Sequence, residues 1–276
     1  MRCPMEFSSS QLTTATVAVS NDVSPVIRSS SSSLVATGTS FSETPAPSDV
    51  TVRNELYWCD IAGRPQAEAF VKACFQRHHS ARIHVHYSRL LVMQGEPEDG
   101  HSLDIGDVDI HAVTGLMRAD EGPLRVEAYL GVRIETLLAD TEQRQIERHQ
   151  IMEIGALCSA TAGAGRMLML ALVEVLASLE VEWLVVTASR EVRNGLSRLG
   201  IAMRDMGKAD PTCLDSQDDW GSYYAHDPRV VVIRPLDEAQ RMGSSPLGRR
   251  LLAGAPRFLQ TSLSPFPAFP TTNGGC

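Results

Sequence analysis

The sequence predicts an α/β (α+β) fold, a single domain in which strands and helices alternate around a sheet. Three stretches carry that expectation. Residues 151–157 read as a strand, "TAGAGRMLML" turns it into a very apolar helix, and "EWLVVTAS" returns as a fully apolar strand. Strand, glycine turn, helix, strand is α/β order with a right-handed crossover. Between Arg166 and Leu179 only Arg166, Glu174 and Ser178 interrupt the apolar surface, as expected of a helix that covers a sheet.

The other elements follow in order. "QAEAFVKACFQRHH" places Ala69, Phe70, Ala73 and Cys74 at helical spacing. "ARIHVHYSRLLVMQ" begins by alternating, with Ile83, Val85 and Tyr87 on one face and Arg82, His84 and His86 on the other, which predicts a strand with one wet face. "GEPEDGHSLDIGD" is turn chemistry, and "VDIHAVTGLMRA" is a second strand. The stretch from Glu121 to His149 ends in a helix with Ile134, Leu137 and Leu138 as its stripe. "REVRNGLSRLG" is a short helix closed by Gly200, and "VVVIRPL" is a last strand ended by Pro235.

Residues 1–50 are rich in Ser and Thr and offer too few large apolar side chains to offset ordering entropy, so they are expected to be a disordered tail. The folded domain is placed at 51–240. Residues 241–276, punctuated by Pro and Gly, are expected to be a flexible tail with room for a short helix near Arg249–Leu252. A net charge of −8 disfavours a nucleic-acid partner, which needs clustered cations. There is no apolar run of roughly 20 residues to span a bilayer and no apolar secretory segment at the start. The 6 cysteines are scattered without a CxxC pair, which fits reduced thiols in a cytoplasm.

The glycine turn has two readings. Gly163 and Gly165 let the chain turn and pack, or the N–H groups of Thr161, Ala162, Gly163, Ala164 and Gly165, with Arg166, hold an anion at a helix start. The stretch is not a P-loop, because no Gly-Lys-Ser/Thr follows. "DDWGSYYAHD" gathers Tyr223, Tyr224, His226 and Asp227 beside Trp220, either as acid and base groups (His226 with Asp227 as a base) or as an aromatic-anchored turn. Cys158 is a nucleophile only if a base lowers its pKa, and otherwise a buried inert thiol. His78, His79, His84 and His86 lack a definite carboxylate or cysteine to complete a metal site, so no metal is expected. Arg190, Arg193 and Arg198 serve a phosphate, a carrier protein or only solvent.

The strand–turn–helix unit resembles the acyl-CoA-binding core of GNAT-type N-acetyltransferases. There a loop of the form Gln/Arg-x-x-Gly-x-Gly/Ala cradles the coenzyme pyrophosphate at a helix start. Gly163 and Gly165 match the two small positions, Ala160 stands where that pattern has Gln or Arg, and the general-acid Tyr position falls at Leu196. "EIGALCS", "WLVVTASREVRNGLSRLGI", "ADPTCLDSQDDWGSYYAHDPRVV" and "GLMRADEGPLRVEAYLGVRIE" resemble the bacterial thermostable hemolysin family over roughly residues 68–236.

Together these resemblances imply a mixed central sheet flanked by helices. They imply an acyltransferase whose donor, acyl-CoA or the pantetheine arm of an acyl-carrier protein, lies on Thr161–Arg166. The acceptor is an amine or other small nucleophile. Glu153 or His226 is the implied base, or Glu153 is only a solvated or ion-paired strand residue. Tyr223 or Tyr224 is the implied acid. The family name also leaves a lytic protein that acts directly on membranes, the one reading with membrane contact, and the Leu196 and Ala160 departures leave a non-catalytic binding module.

Overall fold

The computed structural model describes residues 54–95, 110–214 and 218–258. The expected tail over 1–50, the turn segment after Gly95, and the chain past residue 258 lie outside the described residues. In chain order the elements are β1 (Glu55–Trp58), α1 (Arg64–His79), β2 (Arg89–Gln94), β3 (Ile110–Arg118), α2 (Arg125–Leu130), α3 (Ile134–Glu142), β4 (Ile151–Ser159) and α4 (Ala162–Ser178). They continue with β5 (Trp183–Ala188), α5 (Arg190–Arg198), β6 (Arg204–Lys208), β7 (Arg229–Ile233), α6 (Pro235–Ser244), α7 (Pro246–Ala253) and β8 (Arg257–Phe258).

The strands form one sheet in the order β6-β7-β5-β4-β3-β2-β1-β8. β4 pairs with β5 in parallel, as β1 does with β8, and the other neighbours are antiparallel. The fold is therefore the mixed sheet flanked by helices that the acetyltransferase resemblance implies.

Side-chain alternation along the strands fixes the layers. On one face Met152, Ile154, Leu184 and Val186 meet Leu168, Leu172, Val175 and Leu176 of α4. On the other, Ile151, Trp183 and Val185 pack with Val126, Ile134 and Leu138 of α2 and α3. α1 covers the rest of that second face, with Phe70, Val71 and Cys74 over Leu90, Val92 and Val113. Each Leu or Val buried in this way contributes roughly 1.5–3 kcal/mol.

Three expectations need correction. α4 starts at Ala162, one turn earlier than Arg166, because Thr161 is extended and its Oγ1 accepts the Ala164 N–H at 3.2 Å. Gly163 and Gly165 thus belong to the first helical turn and not to a preceding loop. Residues 82–87 keep their alternation of burial but do not form a strand of the sheet. Arg82 bridges only to Asp219, and regular pairing begins at Arg89. The fold also continues beyond residue 240. Ser245 caps α7 by accepting the Gly248 N–H at 2.8 Å, and an added Cβ at Gly248 would overlap the Met242 carbonyl. Leu251, Leu252 and Phe258 pack on the core, and Phe258 stands edge-on to Trp58 at 6.0 Å. Proline and glycine here start and stop helices, one of them over the expected Arg249–Leu252, and the segment packs on the core where a flexible tail was expected.

Candidate functional site

The parallel ladder between β4 and β5 runs from Ile151↔Trp183 to Ile154↔Val186 and then ends, although both strands continue. Ala156 explains the split. Its φ of +50° is left-handed, unusual for a residue with a side chain, and the pairing of β4 with β3 shifts register at the same point. The bulge carries Gly155–Ser159 away from Thr187–Ser189 and opens a cleft through the sheet.

Toward α4 the cleft widens into a groove of about 1340 Å³, walled by Ser159, Gly163 and Arg166 on one side and by Glu191, Val192 and Arg198 of α5 on the other. The Thr161 side chain and carbonyl take the Ala164 and Gly165 N–H groups, at 3.2 Å each. Helix geometry leaves the N–H groups of Ala162 and Gly163 for a ligand, at the positive end of the helix dipole. A Cβ on Gly163 would meet only Thr161 Oγ1, at 3.8 Å, whereas one on Gly165 would press on Ser159 Oγ at 2.8 Å. Gly165 therefore serves packing, and Gly163 leaves the approach to the helix start open. Arg166 and Arg198 make no ion pair among the described residues.

Toward α1 the cleft leads into a cavity lined by Cys74 and His79 of α1, the β4 bulge, Thr187 and Tyr223. Beyond it lies a further, narrow pocket, walled by Tyr87, Arg125, Tyr129, Trp220 and Tyr223. The groove and the first cavity share Leu157, Ser159 and Val192, and the two cavities share Ala156, Thr187 and Tyr223. The three spaces adjoin one another from the α4 start to the aromatic pocket.

Tyr87 lies across Gly115 and Gly155, where any Cβ would collide with its ring. Its hydroxyl donates to Glu153 Oε1 at 3.4 Å. Glu153 Oε2 accepts the Arg125 N–H at 2.8 Å, and the carboxylate also bonds the Val126 N–H. Glu153 is only 1% exposed, and burial lifts its carboxyl to about 7 against those N–H bonds. It anchors the start of α2 beneath Tyr87 and does not line the cleft.

The expected aromatic stretch does reach the site. The Tyr223 hydroxyl donates to the Thr187 carbonyl at 3.3 Å, and burial keeps its proton affinity well above the ordinary phenol. Tyr224 pairs hydroxyl to hydroxyl with Tyr129 at 2.7 Å. The His226–Asp227 pair is not formed. Asp227 has a left-handed backbone and turns to Arg193 at 2.8 Å and Arg190 at 4.0 Å, while His226 Nδ1 meets Glu191 Oε1 at 3.1 Å. Burial raises the Glu191 carboxyl, but the bond to His226 outweighs it and the group falls to about 2.

Cys158 lies against the Val71 carbonyl, and burial pushes its thiol well above the usual range. Leu196 is buried on the α4 side and takes no part in the cleft. No group of three or more His, Cys, Asp or Glu is assembled for a metal among the described residues.

The groups that sequence reasoning missed are Tyr87, Arg125 and Glu191. His79, His84 and His86, weighed there only as metal ligands, do reach the site, His79 on the cavity wall and the other two at the rim. His84 Nδ1 lies 2.6 Å from Asp218 Oδ1, and His86 faces the Arg125 guanidinium at 3.0 Å. Burial and that cation lower His86 to about 4. Arg125 in turn stacks over Trp220 at 5.1 Å.

A family model described as thermostable hemolysin matches residues 60–237. No curated protein sequence matches the chain. Among solved structures, the chain is similar to FeeM, an N-acyl amino acid synthase from uncultured soil microbes, with 9% identity over 73% of this chain and 99% of that one, TM-score 0.47. It is also similar to BjaI, a CoA-dependent acyl-homoserine lactone synthase solved with SAM and isopentyl-CoA, with 11% identity, 76% and 93% coverage and TM-score 0.46. For the acyl-homoserine lactone synthase LasI the values are 10%, 76%, 98% and 0.44.

Proposed function

The chain belongs to the thermostable hemolysin family, and we propose that within it this protein is an acyltransferase, moving an acyl group from a thioester to an amine or other small nucleophile. The observation that carries this reading is the split between β4 and β5, which joins a helix start suited to phosphate with a cavity walled by imidazole and phenol groups.

In this reading the pyrophosphate of acyl-CoA rests on the Ala162 and Gly163 N–H groups, with Arg166 and Arg198 supplying charge. The pantetheine arm follows β4 through the gap left by the Ala156 bulge. The arm of an acyl-carrier protein would enter by the same route. The thioester carbonyl then lies at the bulge, between the first cavity and the aromatic pocket from which the acceptor approaches. Tyr223 keeps its proton at neutral pH and is the better placed of the two expected acids to hydrogen-bond the departing sulfur, because it walls both cavities while Tyr224 is bonded to Tyr129 and lines neither. Lysis of cells would then be indirect, through an acylated product. No helix among the described residues is long and apolar enough to cross a membrane.

The test is calorimetric titration of the full chain with acetyl-CoA, a long-chain acyl-CoA and an acyl-carrier protein, followed by a thiol-release assay with a panel of amines. Binding lost in Gly163→Val, together with amine-dependent thiol release, supports the reading. Absence of binding to every donor overturns it. Red-cell lysis by purified protein without any thioester favours direct membrane action instead.

A further inference from the structure

We propose that His79 is the proton carrier of this site, taking the proton that the acceptor nitrogen loses and delivering it to the departing sulfur. The assignment rests on the acyl-transfer reading above.

Local structure holds this ring in place. His79 ends α1, and its carbonyl accepts the Ser222 N–H at 2.8 Å. Gly221, left-handed at φ +48°, sits so close to that carbonyl that a Cβ would overlap it. The clamp brings the following residues onto the end of α1. Tyr223 stands edge-on to His79 at 5.3 Å and His226 at 5.0 Å. The His79 ring forms part of the wall of the cavity at the β4 bulge. Its Nδ1 is buried and makes no hydrogen bond among the described residues. A buried ring nitrogen without a partner at a cavity wall points to a ligand that bonds it.

Apart from the exposed His78, the other groups on these walls are engaged or too weakly acidic to act as a base, Cys74 being hydrogen-bonded to Cys158. His84 is bonded to Asp218, and His86 meets the Arg125 guanidinium. The hydroxyls of Tyr87, Tyr129 and Tyr223 and the Cys158 thiol are all held above their ordinary ranges by burial, so they keep their protons. Glu153 lies beneath Tyr87.

The charged and titratable groups facing His79 are His78 on α1, Tyr223 and His226 after Gly221, and Glu191 on α5. Burial, then His226 and His78, lower its proton affinity, so the ring is neutral and able to accept near pH 7. Glu191, bonded to His226, works in the opposite direction and steadies the imidazolium once it forms.

The step balances without a further reactant. The nitrogen lone pair forms the new C–N bond, and the C–S electron pair leaves with sulfur. The proton moves from nitrogen to His79 and then to that sulfur, leaving an amide and a thiol.

Full-length wild type, His79→Gln, His79→Ala and His78→Gln are assayed with octanoyl-CoA and primary amines by thiol release across pH 5–9. In His79→Gln, octanoyl-CoA binding stays as in wild type, kcat falls by about 100-fold, and the acid limb of the pH profile disappears. Added imidazole restores rate to His79→Ala, and His78→Gln keeps the acid limb, moved to higher pH by loss of the neighbouring imidazole. Transfer by His79→Gln at the wild-type rate and pH profile overturns the assignment alone. No transfer by the wild type to any amine overturns the acyl-transfer reading and this assignment with it. Should the substitutions fail to fold, carbethoxylation of His79 in the wild type decides the matter. Protection by a non-hydrolysable CoA thioether supports the role, and equal labelling overturns it.

Discussion

At the α4 end of the cleft the walls are a helix start with its glycines, a strand edge and one face of α5, with Arg166, Glu191 and Arg198 as the charged side chains. At the α1 end they are imidazoles, phenols, an indole and a guanidinium carried in from four separate stretches of chain. The first end offers N–H groups and a dipole, which suit any ligand bearing a phosphate handle. The second offers particular side chains at particular distances, held by ion pairs and stacked rings, and that is where one acceptor can be told from another. An end made from backbone should tolerate most substitutions that leave the helix start open. An end made from side chains should fail when its supports are removed.

The largest expected effect falls on those supports. Arg148 bridges Glu127 and Glu135 at 2.6 Å each and donates to the Ala119 and Gly122 carbonyls, so it fixes α2, which carries Arg125 and Tyr129. Arg148→Met leaves the partly buried Glu127 carboxylate without its ion pair, while Glu135 keeps Arg133 at 2.7 Å, and should cost about 4 kcal/mol in a urea titration. Donor affinity should hold in whatever fraction stays folded. A loss below about 1 kcal/mol would mean that α2 does not depend on this network.

Next comes Glu153, the tie from β4 to the start of α2. Its carboxyl is about 7 when folded against 4.5 for the free group. Between those values the folded chain holds a proton that the unfolded chain has released, so stability declines as the pH rises. The group should remove roughly 3 kcal/mol of unfolding free energy across that window. Denaturant titrations at stepped pH should show a flatter slope in Glu153→Gln, and an unchanged slope would place the titration elsewhere.

On the donor end, Gly163→Val should weaken acyl-CoA binding about 100-fold, or roughly 2.7 kcal/mol, while leaving the unfolding midpoint in place. Its Cβ has open space, so any loss must come from the ligand side. Equal affinity in the variant would remove the helix start from the binding path. The smallest effect is expected from Tyr223→Phe, a roughly 10-fold drop in thiol release, about 1.4 kcal/mol, with donor affinity unchanged. If affinity falls while turnover holds, Tyr223 belongs to the wall and not to the chemistry.

The same contrast governs what could be read from the sequence. The donor end is contiguous, since Ser159–Arg166 is one strand end and one helix start, and its glycines and apolar helix stand together in the chain. The acceptor end is not. His84 meets Asp218 across 134 positions and Arg125 meets Glu153 across 28, and nothing local in "RHHSARIHVHY" marks His79 as facing Tyr223. The aromatic cluster after Asp218 was visible as a composition, but its partners were not. His226 turns to Glu191 because Asp227 takes a left-handed backbone and is drawn to Arg193.

Elsewhere the main strands and helices follow their periodicity. β6, "RDMGK", has no apolar alternation and is a strand only through its edge pairing with β7. The alternation at residues 82–87 reflects burial against α1 without a neighbouring strand of the sheet. Past residue 240, Pro and Gly suggested a tail, but Ser245 and Pro246 start a helix whose leucines the core accepts.

The parallel pairing of β8 with β1 has a kinetic consequence. It joins segments about two hundred positions apart, so closing that edge requires nearly the whole chain and comes late in folding. During synthesis β1 can pair with β2 while its outer N–H and C=O groups await residues that the ribosome has not yet released. A nascent or truncated chain ending before Arg257 would carry that open edge into a crowded cell, where it is a template for association with other chains.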